Sequence, residues 1–171
     1  NFFGLDDQRT QGPTLVKVWV QGDLLDDIDA NELVTLQVQA SVLAGVKSHG
    51  ANWDTDHFKV RCGRVSRNKY NTSTPHAGFE QLHHDITRIE TNNPTNPELD
   101  CPISVPDGSL KLLQVGGYLG QNPVLSNGKY NPIDVSGYVD AISAQGIRMG
   151  ITAGSGIGLI NVSPSGMKGS I

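Results

Sequence analysis

The segment around two adjacent histidines holds the densest set of side chains that could catalyse a reaction or bind a metal ion. His83 and His84 are followed by Asp85, and His76 and Glu80 lie just upstream. On a strand the two neighbouring histidines would point to opposite faces, whereas His76 and Glu80 would share a face of a helical turn. A zinc site needs three or four converging ligands, and the His-Glu-x-x-His spacing of zinc hydrolases is missing. We therefore interpret the segment as a polar loop with solvated histidines.

A second candidate is a stretch that carries five carboxylates within ten positions: Asp23, Asp26, Asp27, Asp29 and Glu32. Carboxylate oxygens are the ligands that Ca²⁺ prefers, although the spacing is not that of an EF-hand loop. A solvated acidic hairpin is the alternative interpretation. If a metal binds, we predict calcium held by Asp26, Asp27 and Asp29, and we predict no other cofactor.

Catalytic motifs are otherwise incomplete. No Gly-x-Ser-x-Gly nucleophile elbow occurs. The glycines from Gly154 to Gly158 precede an apolar run that ends before Pro164, so they open no helix that could hold a dinucleotide phosphate. These observations assign no catalytic residue and favour a non-enzymatic function.

Aromatic side chains could bind sugars by stacking, and our predicted ligand-binding residues are Trp19, Trp53 and Tyr130. Alternation places Trp19 on the side of its strand opposite to the neighbouring valines. Tyr118 and Tyr138 are further candidates. Aromatic residues make up only 6% of the chain, which is a low content for a surface built on stacking.

Composition excludes some partners. The formal net charge is −4, and the densest basic segment, residues 61–69, holds only four Lys and Arg residues, so we predict that the chain does not bind nucleic acid. No stretch approaches the roughly 20 consecutive apolar residues of a membrane span. Charged residues are only 18% of the chain, and polarity comes instead from Asn, Gln, Ser and Thr, as in many secreted or surface-assembled β domains.

Two further features point to an oxidising location outside the cytosol. The chain begins at Asn1 rather than Met, and we expect that a leader has been removed, a fragment being the alternative. Cys62 ends one alternating strand and Cys101 opens another, so two packed strands could bring them within disulfide distance. We predict a Cys62–Cys101 disulfide, with two free thiols as the alternative.

Hydrophobic alternation with a period of two predicts the fold. It is clearest from Leu33 to Ala44, where apolar and polar residues alternate. We predict a single all-β domain over residues 1–171, an antiparallel β-sandwich or jelly roll with minor short helices and no internal repeat. One helix would begin at Ser136 and end at Gly146, where Val139 and Ile142 share a face, and a second helical turn would cover Phe79 to His83. Residues 1–12 form an N-terminal arm, and residues 163–171 form a flexible tail.

This fold predicts a non-enzymatic structural or adhesive subunit of a surface assembly such as a pilus, a capsid or a phage tail. Phe2, Phe3 and Leu5 would be buried against a neighbouring subunit, so the partners are further copies of the chain or other proteins. The alternative is a secreted module that binds a carbohydrate or a receptor, with calcium as a possible aid.

Overall fold

The computed structural model describes residues 15–49, 58–66, 78–120 and 133–163, and all regular structure in these ranges is β-strand. The strands are β1 (Leu15–Val20), β2 (Ile28–Ala30), β3 (Leu33–Val42), β4 (Gly45–Ser48), β5 (Phe58–Val65), β6 (Gly78–Leu82), β7 (Ile86–Thr91), β8 (Ile103–Val105), β9 (Leu110–Val115), β10 (Tyr118–Leu119), β11 (Ile133–Val135), β12 (Tyr138–Ala144), β13 (Gly146–Ile147), β14 (Ile151–Ala153) and β15 (Gly156–Val162). Within the described ranges, no helix is long and apolar enough to cross a membrane.

The strands wind into a solenoid. One sheet has seven strands in the order β1-β3-β5-β7-β9-β12-β15, and the second has six in the order β14-β11-β8-β6-β4-β2. A narrow third side is formed by β10 with β13 and by isolated bridges such as Leu24 to Val42. Each coil of the chain passes from the seven-stranded sheet through the third side to the six-stranded sheet, and pairs with the coils before and after it. This topology defines a parallel β-helix.

The prediction of an antiparallel sandwich is therefore wrong, because every strand pair in the described ranges is parallel. Alternation reports that one face of a strand is buried and the other is wet, which most parallel sheets do not show. In a solenoid each parallel sheet has its inner face on the core and its outer face in water. The alternating pattern therefore correctly predicts the strand Leu33–Val42, but it does not indicate whether the neighbouring strands are parallel or antiparallel.

Unequal coils explain why no internal repeat was predicted. Pairing advances 18 residues from Leu15 to Leu33 but 24 residues from Ile86 to Leu110. A solenoid whose coils differ in length keeps the same stacking without a fixed sequence period.

The predicted helices at Ser136–Gly146 and Phe79–His83 are also wrong, because these segments contain strands β12 and β6. The i,i+3 spacing of buried Val139 and Ile142 suggested a helix. In the solenoid this spacing arises because β7 has one more residue than β5 at the register shift that follows Phe58. The strands β9 and β12 keep the register of β7. The strand β9 repeats the same spacing with Leu110 and Leu113, in register with β12.

The core is built from stacked rows of aliphatic side chains. One row takes a residue from each strand of the seven-stranded sheet: Val18, Leu36, Val60, Ile89, Leu113, Ile142 and Ile160. Exposure is 7% at Val18 and at most 1% for the next five residues, but 48% at Ile160 on the end strand β15.

The predicted disulfide is absent. Cys62 lies on the inner face of β5, Cys101 precedes β8 in the other sheet, and both are buried thiols. The Cys62 Sγ donates to the backbone oxygen of Glu90 over 3.7 Å. Burial, assisted by the Glu90 charge, raises the pKa of Cys62 to about 12, so this thiol stays protonated and unreactive at neutral pH.

Candidate functional site

Of the predicted binding aromatics, the described part of the chain includes Trp19, which lies on β1 and is 73% exposed. Trp53 and Tyr130 lie outside the described residues. The predicted N-terminal arm lies outside them too, with its proposed assembly residues Phe2, Phe3 and Leu5.

The acidic segment of residues 23–32 forms side-chain contacts with the next coil. Asp27 Oδ1 accepts a hydrogen bond from the Gly45 N–H over 2.8 Å, and Asp29 pairs with His49, while Asp26 is exposed. Across the described ranges, no group of three or more His, Cys, Asp or Glu side chains is placed to hold a metal ion. A calcium site at Asp26, Asp27 and Asp29 stays a prediction.

Two imidazole–carboxylate pairs face each other across adjacent coils. His49 Nε2 contacts Asp29 Oδ1, and His83 Nδ1 lies 2.6 Å from Asp107 Oδ2. The two rings are nearly parallel, with centroids 6.4 Å apart. Each carboxylate can orient its imidazole, as in a hydrolytic triad, but nucleophilic catalysis also needs a hydroxyl or thiol on the ring. In the described part of the chain neither ring has such a partner.

His84 is not solvated, contrary to the prediction, since it is only 7% exposed. Its Nε2 lies 2.8 Å from Ser48 Oγ, and its Nδ1 lies 3.1 Å from the Asp85 backbone oxygen. Because Nδ1 faces a carbonyl, it carries the proton, and Nε2 accepts from the serine hydroxyl. Burial lowers the pKa of His84 below its ordinary value, which favours this neutral form. Ser48 is fully buried, so the pair cannot reach a substrate and instead ties β4 to the next coil.

A cleft lies beside the loop of residues 92–98, which follows β7. Asn93 Oδ1 accepts hydrogen bonds from three donors: the Thr95 N–H, the Thr95 hydroxyl and the Asn96 N–H, at 2.9 to 3.1 Å. The base of the loop is closed by the Thr91 hydroxyl, which donates to the Pro97 oxygen over 2.5 Å. The loop is therefore a fixed wall, held by its own turn and by the strand that precedes it.

The cleft has a volume of about 650 Å³ and a lining rich in amides and hydroxyls. Its lining side chains include Glu90, Asn92, Asn93, Thr95, Asn96, Gln114, Tyr118 and Gln145. Gln114 Oε1 accepts from Arg88 Nη2 over 2.8 Å, which directs the Gln114 NH₂ group to donate elsewhere. Amide side chains both donate and accept hydrogen bonds, as sugar hydroxyl groups do. The volume lies within the range of pockets for small ligands.

Tyr118 forms the aromatic part of this lining. The Arg148 guanidinium lies 4.0 Å from the centroid of its ring, and the ring edge packs where Gly146 has no side chain. The ring is 36% exposed. A held aromatic ring beside several amides is a suitable surface for the apolar face of a sugar.

Only some of the residues that line the cleft could be predicted from the sequence. Of the residues that line the cleft, Tyr118 was among the candidate stacking rings. Gln114 and Gln145 were missed, because an isolated glutamine gives no local signal. They join the cleft through the pairing of β9 with β12, which the sequence did not show.

No protein-family model, no curated protein and no solved structure matches the chain. The topology defines its fold as a parallel β-helix, with a cleft at the carboxyl ends of strands β7 and β9 of the seven-stranded sheet. The cleft and the exposed faces of the solenoid are its candidate binding surfaces.

Proposed function

We propose that the chain is a non-enzymatic adhesive module that binds a carbohydrate in the cleft beside residues 92–98. The observation that carries the proposal is the cleft lining, which combines five amide residues with one partly exposed tyrosine ring. Such a lining offers hydrogen bonds to hydroxyl groups and an aromatic contact, and Pro94 and Pro97 add further apolar surface. We place such a module outside the cell, where extended polysaccharides occur.

The described lining of the cleft contains one carboxylate, which favours carbohydrate binding over carbohydrate hydrolysis. Glycoside hydrolysis uses two carboxyl groups that flank the scissile bond. Among the described lining residues Glu90 alone carries a carboxylate, and it lies 3.6 to 3.8 Å from the Nε atoms of Arg88 and Arg61. One carboxylate held between two guanidinium groups does not provide the pair of acid and base that hydrolysis requires.

Replacing Tyr118 by alanine is expected to weaken glycan binding by about tenfold or more, the usual size of a central aromatic contact. Gln114→Ala removes one amide donor and is expected to weaken binding by about three- to tenfold. Binding is measured first on a glycan array with labelled protein, and then by calorimetry with the strongest glycan.

The matched control is Tyr138→Ala, since Tyr138, on β12 of the seven-stranded sheet, is 57% exposed and does not line the cleft. Tyr118→Phe keeps the ring and is expected to stay folded and to retain most of the affinity. A chain that binds no glycan, or one whose Tyr118→Ala and Tyr138→Ala variants bind equally well, contradicts the proposal.

A second candidate function is that of a structural subunit that assembles with copies of itself. It is favoured by the end strand β15, where Ile157, Leu159 and Ile160 are 36%, 61% and 48% exposed. Ile157 and Ile160 continue the inner rows of the core, so the surface that fits them is another coil. The strand β1 of a second copy has a similar length and could extend the sheet head to tail.

Assembly of this kind is expected to raise the molar mass with concentration in light scattering. Ile160→Asp places a charge in the contact and is expected to give a monomer at all concentrations. Gln81→Asp, at an exposed position on the interior strand β6 of the six-stranded sheet, lies away from both ends of the solenoid and is expected to leave the mass unchanged. A wild-type chain that is monomeric throughout excludes this second candidate.

A further inference from the structure

Cationic side chains gather on the outer face of the seven-stranded sheet. The cationic face, as we define it, consists of Lys17 on β1, Lys59 and Arg61 on β5, Arg88 on β7 and Lys111 on β9. Each alternates with side chains that point into the core, so all five point outward. A chain with a net charge of −4 thus concentrates five of its 13 Lys and Arg residues on one face.

Few acids balance these charges. Glu90 pairs with Arg61 and Arg88, and Asp140 on β12 is the second acid on this outer face. The Arg61 side chain is 62% exposed despite its pairing. Lys17, Lys59 and Lys111 are exposed and have no ion pair within the described ranges. The face keeps a net positive charge and attracts an anionic partner.

The charges are arranged along the solenoid axis. Lys17, Thr35, Lys59 and Arg88 follow one another in register on successive strands. Strands lie about 4.8 Å apart, so the face extends roughly 19 Å from β1 to β9. A compact anion could contact only part of such a row, whereas a linear polymer with repeated charges could contact all of it.

The cationic face is continuous with the cleft. One outward row runs from the exposed Trp19 through Gln37 and Arg61 to Glu90 and Gln114, and the last two also line the cleft. We infer that the ligand is an anionic polysaccharide, lying along the solenoid axis from the Trp19 ring across the cationic face into the cleft. This inference rests on the proposed carbohydrate-binding function and names its substrate class.

The pattern favours an acidic polysaccharide over nucleic acid. Double-stranded DNA carries about one charge per 1.7 Å of its axis, and its binding needs a dense cationic surface. Here five cations are spread over roughly 19 Å from β1 to β9, with Glu90 among them and Asp140 on the next strand, β12. Widely spaced charges that alternate with polar side chains match a polymer that bears both carboxylate or sulfate groups and hydroxyls.

The test compares alginate and dextran sulfate with uncharged dextran by calorimetry, and adds a DNA duplex as a fourth probe. The full chain is expected to bind the two anionic polysaccharides more tightly than dextran, and raising NaCl to about 0.5 M is expected to remove most of the difference. The double variant Lys59→Gln/Lys111→Gln is expected to bind them about tenfold more weakly at low salt. Lys47→Gln, on β4 of the other sheet, is the matched control and is expected to bind as wild type does.

The outcomes separate this inference from the proposed function. If Tyr118→Ala loses glycan binding while the double lysine variant binds as wild type does, the cleft is supported and the anionic ligand is rejected. If the lysine variant loses alginate binding and Tyr118→Ala does not, the cationic face is supported and the cleft is rejected. Tighter binding of DNA than of either anionic polysaccharide would overturn the inference, as would equal binding of dextran and dextran sulfate.

Discussion

Replacing Gly78 by alanine is expected to lower the free energy of unfolding by about 3–5 kcal/mol, the sum of a strained backbone and an overpacked contact. Gly78 has a φ of +116°, a region that side-chain-bearing residues rarely adopt. A Cβ there would lie 2.6 Å from the Pro102 oxygen and 2.7 Å from Cys101 Cβ. Neither neighbour can easily move, because both directly precede the buried strand β8 and the Pro102 oxygen accepts the Phe79 N–H. Urea denaturation followed by tryptophan fluorescence measures the loss.

Two other glycines separate the causes of this loss. Gly156 has a φ of +127°, but no atom lies within 4 Å of the position that an alanine Cβ would take, so Gly156→Ala is expected to cost only the strain, about 1–2 kcal/mol. Gly150 has neither the positive φ nor a close neighbour, so Gly150→Ala is expected to be nearly neutral. Equal losses for Gly78→Ala and Gly150→Ala would contradict the packing of β6 against β8.

Replacing Ile89 by alanine is expected to lower the free energy of unfolding by about 2–5 kcal/mol, because it leaves a cavity in the middle of a stacked row. Ile89 is fully buried between Val60 and Leu113 on the neighbouring coils. Ile160 belongs to the same row but lies on the end strand and is 48% exposed.

Ile160→Ala is therefore the matched control, with the same atoms removed at the same register. It is expected to cost under about 1 kcal/mol, since exposed side chains lose little on truncation. Denaturation of both variants at one protein concentration measures the difference. Similar losses at the two positions would show that the row does not end at β15, either because the coils stack differently or because another chain covers Ile160.

The fold could be predicted in part from the sequence. Alternation from Leu33 to Ala44 correctly predicted a strand, which the structure places at Leu33–Val42 with one buried face. It could not give the direction of the neighbouring strand, because burial of one face is the same in an antiparallel sandwich and in a parallel solenoid. The helix over Ser136–Gly146 was wrong because one extra residue in a strand produces the i,i+3 spacing of a helix.

The residues of the candidate sites are brought together by the pairing of strands, which the sequence did not predict. Lys17, Lys59 and Lys111 are distant in the sequence, so they form no run of basic residues that would predict a cationic patch. The solenoid places each of them on the same outer face. Likewise Gln114 meets the loop of residues 92–98 only because β9 lies beside β7. Local composition predicts neither arrangement, since each is created by the register between coils.

The most direct test of carbohydrate binding in the cleft is hydrogen–deuterium exchange of the full chain with and without the strongest glycan from the array. Bound glycan is expected to slow exchange in residues 90–98 and 114–118, which form the loop wall and the floor of the cleft. Protection confined to the six-stranded sheet, or no change in residues 90–98, would contradict carbohydrate binding in the cleft.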